Sequence, residues 1–475
     1  MCGIVGIVDA GGVSIQLYYA MYALQHRGQE SAGITTYDGT TLYKFKGQGL
    51  VADVFSPAIL SDLKGTAGIG HVRYPTTGSN LPENIQPLNF QFKNRSISLA
   101  HNGNLVNTKE LRAEFEQAGQ IFTTTTDTEV IAKILMDEIS ATGSVEDAVN
   151  LCMRRLRGSY SVVMMIDGII YAFRDPLGIK PFCIGKLANG YVVASESVAV
   201  DALNGEFLRD VNPGELIHMD ADGIRCTQIA VAGARAHCIF EYIYFARADS
   251  VIDGKLVYEV RTSIGAKLFE EDPVNADGVS PVPDSGIAYA LGFARRSGIA
   301  YIESLMKNRY MGRTFIMPNQ QQREKAVRIK LNPIPAHLAD KSIVLIDDSI
   351  VRGTTSKRII DLMREAGARE VHVRIGSPQI KAPCYLGVDF PTRQELIASD
   401  KIEEEVRKSI TATTLHHVSL DALIEAVGCG RDQLCIGCLT GCYPLPIEGE
   451  HGKVPHVDFV AGTYQASLGS FETES

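Results

Sequence analysis

MCGIVGI, residues 1–7, opens the chain and decides how its first half is organised. Cys2 directly follows Met1, so removal of Met1 would leave Cys2 with a free α-amino group, whose ordinary pKa is about 7.7–8.0. A thiol and a base would then share one residue, which is the arrangement of an N-terminal nucleophile. Residues 3–7 predict a short buried strand with glycines where backbones approach closely. Because a cysteine at position two means little by itself, this interpretation depends on partners further along the chain.

Length, composition and charge limit the class of protein. A chain of 475 residues predicts at least two domains, and 45% hydrophobic with 21% charged residues is typical of a globular protein. The net charge of −9, without a basic run, argues against nucleic acid or an anionic membrane as a partner. We find neither an apolar run of membrane-spanning length nor a signal region, so we expect a cytoplasmic protein with no membrane partner.

Three motifs in the first half carry polar residues with useful chemistry. Arg27 and Gly28 end a predicted helix, where basic residues and a following glycine are common. Arg73 ends a predicted strand and can bind a carboxylate in bidentate fashion, although a surface ion pair is the commoner role. Asn102 and Gly103 follow another strand, and an Asn amide beside a backbone N–H can form an oxyanion hole. An isolated Asn-Gly pair is more often a hairpin turn.

Asp127 lies at the start of a predicted amphipathic helix. Helix capping is the simplest role for it, and recognition of a substrate ammonium group is the alternative. Together, these motifs and Cys2 supply a nucleophile, a carboxylate clamp, an oxyanion hole and an ammonium acceptor. An enzyme that acts on an α-amino acid with a side-chain amide needs those four functions.

The same segments carry a family resemblance. MCGIVGI, LQHRGQESAGI, GHVRYPTTG, LAHNGNL and TDTEV resemble the class II glutamine amidotransferases, and GSYSVVMM, FRDPLGIKPFCIG, VVASES and VNPGEL continue the resemblance in order. It implies an N-terminal glutaminase domain at residues 2–232, with the four-layer αββα fold of Ntn hydrolases, which hydrolyses glutamine to glutamate and ammonia. It also implies that Cys2, Asn102 and Gly103 are catalytic. The implied glutamine-binding residues are Arg27, Gly28, Arg73 and Asp127.

The strongest motif in the second half is KSIVLIDDSIVRGTTSKRIIDLMREAGA, residues 341–368. Residues 343–346 predict a buried parallel strand, and Asp347 and Asp348 stand at its C-terminal end. A Gly/Thr-rich loop over 349–355 precedes a helix, and such strand-to-helix turns form the ligand crevice of open α/β sheets. The carboxylates can bind ribose hydroxyls or hydrated Mg²⁺, and the loop suits a phosphate. A purely structural role is a poor explanation, because two aspartates beside a buried strand are costly without a partner.

Two weaker signals precede this motif. Asp284, Ser285 and Gly286 open a predicted helix and can present N–H groups to an anion, although turn chemistry alone gives the same residues. Residues 308–334 are rich in Arg, Lys and Gln and predict a long, mobile, cationic loop. Such a loop can be a lid, or simply a solvated run of charges.

Residues 341–368 resemble the phosphoribosylpyrophosphate loop of type I phosphoribosyltransferases. A class II glutaminase followed by that α/β domain is the architecture of the amidophosphoribosyltransferase family. FEYIYFARADS, VPDSG, NRYMGRTFI and KLNPI extend the resemblance over nearly the whole chain. It implies a second domain with a C-terminal extension at residues 233–475. The implied reaction converts glutamine and phosphoribosylpyrophosphate to 5-phosphoribosylamine, glutamate and pyrophosphate, the first committed step of purine (IMP) biosynthesis. A homotetramer inhibited by purine nucleotides is also implied.

The second site follows from the same resemblance. Ser285, Asp347 and Asp348 would hold Mg²⁺, and the 308–334 loop would close over the site. The residues implied to bind phosphoribosylpyrophosphate are Asp284, Asp347, Asp348, Ser349, Arg352, Gly353, Thr354 and Thr355.

Four of the ten cysteines fall between residues 429 and 442. Cys435 and Cys438 have the CxxC spacing of metal ligands, but on spacing alone zinc, redox activity and plain burial all compete. In the iron–sulfur subgroup of the family, one ligand precedes FEYIYFAR, one follows the phosphoribosyl loop, and two form a C-terminal CxxC. Cys442 could replace Cys438. The ligands implied for a structural [4Fe–4S] cluster are Cys238, Cys384, Cys435 and Cys438.

Two alternative functions share parts of these motifs. Another class II amidotransferase, such as a glucosamine-phosphate or asparagine synthase, would need a sugar-isomerase domain or an ATP-pyrophosphatase loop, and residues 343–367 fit neither. A non-catalytic regulator that binds phosphoribosylpyrophosphate would carry a basic DNA-binding element and would not need Cys2. The sequence contains no such element.

Overall fold

The first half of the chain forms two antiparallel sheets in the computed structural model, which describes residues 1–74, 81–308, 331–390 and 392–460. The seven strands of one sheet are, in spatial order, Glu206–Asp210, Cys183–Leu187, Gly190–Ala194, Gly3–Asp9, Ala67–Arg73, Ser31–Tyr37 and Leu42–Gln48. The six strands of the other are Gly223–Gln228, Glu215–Asp220, Ile169–Arg174, Gly158–Ile166, Arg95–Leu105 and Leu88–Phe92. The opening strand Gly3–Asp9 is buried along its whole length, as predicted.

Apolar side chains fill three interfaces around these sheets. Ile4, Ile69, Val163 and Met165 belong to the core between the two sheets. Alternate residues such as Val5 pack instead under the helix Ser14–Ala23, because successive side chains of a strand point to opposite faces. The helices of the far layer, which pack on the six-stranded sheet, are Thr108–Gln117, Asp127–Thr142 and Val145–Arg155. The layers are therefore αββα, and the fold prediction for this half is confirmed.

The second half is built around a parallel sheet, as the sequence predicted. Its four strands are, in spatial order, Gly278–Pro281, Ser342–Asp347, Glu370–Ile375 and Thr414–His417. Helices cover both faces, so the strand Ser342–Asp347 is buried along nearly all of its length. The longer helices of this half are Val257–Glu271, Ile287–Ser297, Thr354–Glu365, Glu403–Ile410 and Leu420–Val427.

Short strands tie the C-terminal extension to the junction of the two halves. Leu434–Cys435 pairs in parallel with His237–Cys238, and Val457–Phe459 pairs with Ala230–Ala232. These pairings flank the expected domain boundary at 232/233, which stays a prediction.

The predicted 308–334 loop is only partly covered. Its flanks contribute to a two-stranded ribbon of Leu305–Lys307 and Leu331–Pro333, and residues 309–330 lie outside the described part. In the described ranges, no helix has the length and apolar character needed to span a membrane.

Candidate active site

Cys2 lies at the start of the opening strand, against the end of Arg95–Leu105. Its backbone nitrogen donates to Asn102 Oδ1 at 3.1 Å, and its Sγ lies 3.5 Å from the Tyr74 carbonyl oxygen. Asn102 is fully buried, and its Nδ2 has no hydrogen-bond partner among the residues that the structure describes. A buried amide without an acceptor is costly in a resting protein, but it can bind an oxyanion that forms beside Cys2.

Gly103 continues the strand rather than forming a hairpin turn. The strand runs to Leu105 and pairs with Gly158–Ile166 along that length, which excludes the turn suggested by the Asn-Gly pair. A Cβ atom at Gly103 would lie 2.0 Å from the Ser159 carbonyl oxygen. Glycine is required there because the neighbouring backbone leaves no room for a side chain.

Arg73 and Asp127 carry opposite charges and lie close enough to affect each other, with Cys2 also near Arg73. Arg73 is buried at the end of Ala67–Arg73, and burial lowers its pKa, while the nearby Cys2, Glu30 and Asp127 favour its charged form. Burial would raise the pKa of Asp127, but His101, 3.5 Å away, and the Leu105 N–H at 3.1 Å hold it below its ordinary value. Asp127 is thus a stable carboxylate.

The simple capping role predicted for Asp127 is not what the structure shows. Asp127 is the first residue of its helix and Thr126 occupies the cap position, while Asp127 Oδ2 accepts from the strand residue Leu105. The carboxylate therefore connects the helix to the oxyanion strand.

Gly28 lies against the strand that carries Arg73, and the Arg27 side chain contacts the backbone of Cys2. A Cβ atom at Gly28 would lie 2.4–2.6 Å from backbone atoms of Val72 and Arg73, so glycine permits close approach of the Arg73 strand. Arg27 Nε donates to the Cys2 carbonyl oxygen at 3.0 Å, and its other nitrogens bind the buried carboxylates of Glu196 and Glu241. The guanidinium is therefore bound to the residue that carries the nucleophile, and its role in glutamine binding stays a prediction.

The sequence interpretation assigned no role to Glu196, Glu241 or Lys180. All three are essentially inaccessible to solvent, and Lys180 Nζ lies 2.9 Å from the sulfur of Met1, which is itself buried. A charged residue inside an apolar run, as in FEYIYF, must find a charged partner if it is buried. That signal could have identified Glu241.

The Asp347–Asp348 pair lies at the carboxyl end of the central parallel strand. Burial, and then the neighbouring Asp348 carboxylate, raise the pKa of Asp347 well above its usual value. Burial also raises the pKa of Asp348, which the hydroxyls of Ser285 and Ser349 partly oppose. A partly exposed carboxyl next to a buried one, with the Asp348 charge disfavouring that of Asp347, fits a cation or sugar hydroxyls beside the pair.

The phosphate-loop residues follow this pair in the chain, between the strand Ser342–Asp347 and the helix Thr354–Glu365. The 282–286 turn contacts the same strand end, since Val282 N–H donates to the Ile346 carbonyl at 2.8 Å. Gly353, with φ of 74°, precedes the helix Thr354–Glu365, whose first two threonines are exposed. The N–H groups of that helix end can bind an anion. Arg352 pairs with Glu395 at 3.3 Å, and Asp284 pairs with Lys307 at 2.5 Å.

Three separate segments bring the four predicted cluster cysteines together. Cys238 and Cys435 are paired residues of adjacent parallel strands, and the Cys438 carbonyl accepts from the backbone beside Cys384. Burial, together with charge repulsion among these thiols, raises the pKa values of Cys435 and Cys438. In the covered ranges, no group of three or more His, Cys, Asp or Glu is arranged to hold a metal ion. All four thiols are free of disulfide bonds, three of them are buried and Cys384 is half-buried, and cysteine thiolates are the ligands of both zinc and iron–sulfur clusters.

Comparison with known proteins gives consistent matches. Residues 71–202 match a family model described as a glutamine amidotransferase domain. The amidophosphoribosyltransferase of Methanothermobacter thermautotrophicus is 50% identical over 452 residues, which span 94% of this chain and 95% of that protein. The solved structure of glutamine phosphoribosylpyrophosphate amidotransferase from Bacillus subtilis, complexed with ADP and GMP, matches with a TM-score of 0.88 at 44% identity, covering 94% of this chain and 98% of that one. A solved structure of the allosteric regulatory enzyme of purine biosynthesis matches with a TM-score of 0.89 at 43% identity, covering 94% and 97%.

Proposed function

The chain belongs to the amidophosphoribosyltransferase family, and from that premise we propose how its residues carry out the reaction. The enzyme transfers ammonia from glutamine to phosphoribosylpyrophosphate, giving 5-phosphoribosylamine, glutamate and pyrophosphate in the first step of purine biosynthesis. The observation that supports the assignment of residues is that one chain holds Cys2 against Asn102 and Asp347–Asp348 at the end of a parallel sheet. Pyrophosphate release with glutamine, and separately with ammonia, tests this function.

At the first site, we propose that removal of Met1 frees the amine of Cys2, which Asn102 Oδ1 orients. The amine takes the thiol proton, and the thiolate attacks the amide carbon of glutamine. Asn102 Nδ2 and the Gly103 N–H stabilise the oxyanion. The protonated amine then returns its proton to the amide nitrogen, ammonia leaves as the carbon–nitrogen bond breaks, and water hydrolyses the thioester to glutamate and the free thiol. Mass spectrometry of the mature N-terminus tests the first step, because a retained Met1 would block the amine.

At the second site, ammonia attacks the anomeric carbon and pyrophosphate leaves. Asp347 and Asp348 hold the ribose hydroxyls, and Arg352 to Thr355 bind the 5-phosphate at the helix N-terminus. Asp284 and Ser285 lie on the adjacent turn, where they would face the pyrophosphate. Mg²⁺, which Ser285, Asp347 and Asp348 would hold, supplies neutralisation of the departing charge when bound.

Asp127→Asn is expected to raise the KM for glutamine by about 10- to 100-fold, the size of a lost hydrogen bond to a charged group. The carboxylate would bind the substrate ammonium, whereas the amide keeps the shape and can still accept from Leu105 N–H. Asp137→Asn, an exposed position on the same helix, is the matched control. Steady-state glutamate formation measures the effect, and an unchanged KM in the Asp127 variant would refute the assignment.

We also propose a structural [4Fe–4S] cluster on Cys238, Cys384, Cys435 and Cys438, which would pin the C-terminal extension to the junction of the halves. The convergence of four free thiols from three segments, three of them buried and the Cys384 thiol half-buried, supports it. The cluster would link the three segments that carry its cysteines and would take no part in the reaction at either site.

Cys435→Ser is expected to remove iron and labile sulfide from protein purified without oxygen, because a buried thiolate ligand is lost. Cys442→Ser is the matched control, since the Cys442 thiol is exposed and should leave both contents unchanged. Iron and sulfide analysis with visible absorption measures the outcome. One zinc per chain without labile sulfide would overturn the cluster. Loss of iron in the Cys442→Ser variant would show that Cys442, rather than Cys438, is the fourth ligand.

The proposal also covers inhibition by nucleotides, the oligomeric state and the location in the cell. A solved relative was complexed with ADP and GMP, and we propose that purine nucleotides inhibit this enzyme as well. A homotetramer follows from the family resemblance, and cytoplasmic location suits a reaction of charged phosphate esters. Inhibition of pyrophosphate release by ADP with GMP tests the first proposal, and analytical ultracentrifugation tests the second.

A further inference from the structure

Lys180 is a fully buried cation without a carboxylate partner. It is inaccessible to solvent, and its Nζ contacts the sulfur of Met1 at 2.9 Å. In the part of the chain that the structure describes, no carboxylate forms an ion pair with it. A buried charge is costly unless it interacts favourably with another group. The position of Lys180 therefore needs an explanation other than packing.

The buried Arg174 fixes the backbone that carries Lys180. Its Nε donates to the Lys180 carbonyl oxygen at 2.7 Å, and its Nη2 donates to the Gly178 carbonyl oxygen at 2.8 Å. Both acceptors lie in the segment between the strands Ile169–Arg174 and Cys183–Leu187. The lysine side chain therefore extends from a backbone that is held in place.

Lys180 approaches Cys2 from the side of Met1, which is itself buried. Covalent geometry allows about 4 Å from the Met1 sulfur to its Cα and about 2.4 Å from there to the Cys2 nitrogen. Because Lys180 Nζ is 2.9 Å from that sulfur, it lies within about 10 Å of the Cys2 nitrogen. A Cβ atom at Gly387 would be 3.1 Å from Lys180 Cε and 3.1 Å from the Gly103 carbonyl carbon. The lysine side chain therefore also runs close to the strand that carries Gly103.

The N-terminal amine is surrounded by charged groups in this buried region. Burial lowers the pKa of the Met1 amine to about 5, and the Cys2 thiol opposes that effect. Lys180 and then Arg27 lower the pKa further, and Glu241 raises it. Removal of Met1 moves the amine by one residue, about 3.8 Å, to Cys2, whose carbonyl oxygen Arg27 binds at 3.0 Å. The amine therefore stays within reach of the same two cations.

Other titratable groups face Lys180 from the junction of the two halves. Its charge favours the ionised forms of the Cys238 and Cys435 thiols and disfavours the protonated form of His237. An experiment on Lys180 must therefore separate an effect on the amine from an effect on these cysteines.

We propose that Lys180 is a positioning residue of the glutaminase site, whose positive charge disfavours protonation of the Cys2 α-amine and so leaves that amine free to take the thiol proton. This inference rests on the proposed function. An ordinary terminal amine, with a pKa of about 7.7–8.0, is mostly protonated at pH 7 and cannot then act as a base. A nearby cation disfavours the ammonium form because like charges repel. Lys180 thus increases the fraction of enzyme that is ready to react.

Lys180→Met tests this role because it removes the charge and keeps a long, flexible side chain. The acid limb of the pH profile of kcat/KM for glutamate formation reports protonation of the base in the free enzyme. That limb is expected to move to higher pH by about one pH unit, the effect of a unit charge at about 10 Å with an effective dielectric constant of about 20. The rate at high pH should be retained, because the amine is neutral there in both proteins.

Two further variants serve as matched controls. Lys180→Arg keeps the charge and should keep the acid limb at the parent position. Lys133→Met removes a half-buried lysine of the helix Asp127–Thr142, whose Nζ donates to Gln120 at 3.2 Å, and it should also leave the limb unchanged. Iron content and pyrophosphate release with ammonia are measured for every variant and should match the parent.

Four results would overturn the inference. They are an acid limb that stays in place in Lys180→Met, a rate that falls equally at every pH, a shift that Lys180→Arg shares, and a shift accompanied by loss of iron. The last result would assign the charge of Lys180 to the cysteines instead of the amine.

Folding and the proposed function are checked separately. Lys180→Met should unfold at the parent temperature or above it, because an apolar side chain suits a buried site. If it fails to fold, Lys180→Gln replaces it with the same expected shift. A parent enzyme that formed no glutamate from glutamine would contradict the proposed function itself, which is a distinct outcome.

Discussion

Cys2→Ala should eliminate synthesis from glutamine and leave synthesis from free ammonia intact. Loss of a hydrolase nucleophile reduces kcat by up to about 10⁶-fold, and in the described part of the chain no other thiol occupies the position beside Asn102 Oδ1. The phosphoribosyl residues lie on a separate sheet, so that site keeps its geometry. Alanine also allows Met1 removal and preserves the terminal amine. Parallel assays of pyrophosphate release with the two nitrogen donors measure the result.

Retention of Met1 provides a second test of the same site. Met1 is accommodated in a buried position against Lys180, so a protein that keeps it should fold. It should nevertheless lose glutaminase activity because Cys2 then has an amide nitrogen instead of an amine. Equal loss of both nitrogen-donor activities in Cys2→Ala would contradict the assignment of two separate sites.

Asp347→Asn combined with Asp348→Asn should reduce phosphoribosyl transfer by at least about 10²- to 10³-fold with either nitrogen donor, the usual cost of removing a preorganised charge-stabilising group. Unstimulated glutaminase should survive, but its stimulation by phosphoribosylpyrophosphate should not. Folding should not suffer, because burial already disfavours both charges and raises the pKa of each carboxyl, and the Asp348 carboxylate further disfavours the charge of Asp347. The free energy of unfolding is therefore expected to stay equal or to rise.

The matched control for this pair is Asp361→Asn, which removes an aspartate of the following helix that pairs with Lys357 at 2.7 Å. It should retain both activities. A parent-like rate with ammonia in the double variant would refute the role of the two carboxylates.

Much of the architecture was predictable because local signals and packing agreed. The apolar strand 343–346 followed by two aspartates predicts a buried parallel strand with a ligand crevice, and the structure has Ser342–Asp347 in the middle of a parallel sheet. The resemblance of the first-half motifs to class II glutamine amidotransferases likewise implied the αββα layers. The strand over 95–105 was harder to predict, because its Asn-Gly pair suggests a turn. In the structure, pairing with Gly158–Ile166 keeps that pair extended.

The contacts between distant segments could not be predicted. Arg27 was interpreted as a glutamine ligand, and nothing local indicates that its partners lie at Glu196 and Glu241. The position of Glu241 in an apolar run implies burial and a cation, but the identity of that cation depends on how the halves pack. The burial of Lys180 next to Met1 could not be predicted either, because nothing in the sequence around Lys180 indicates it.

The stoichiometry of the reaction, with glutamine as the sole nitrogen source, tests the central claim most directly. Purified enzyme is supplied with glutamine, Mg²⁺ and phosphoribosylpyrophosphate, and glutamate, pyrophosphate and phosphoribosylamine are measured together. The account predicts equal amounts of all three products, with pyrophosphate formation abolished when glutamine is omitted. Glutamate formed without pyrophosphate, or pyrophosphate released at the same rate without glutamine, would contradict it.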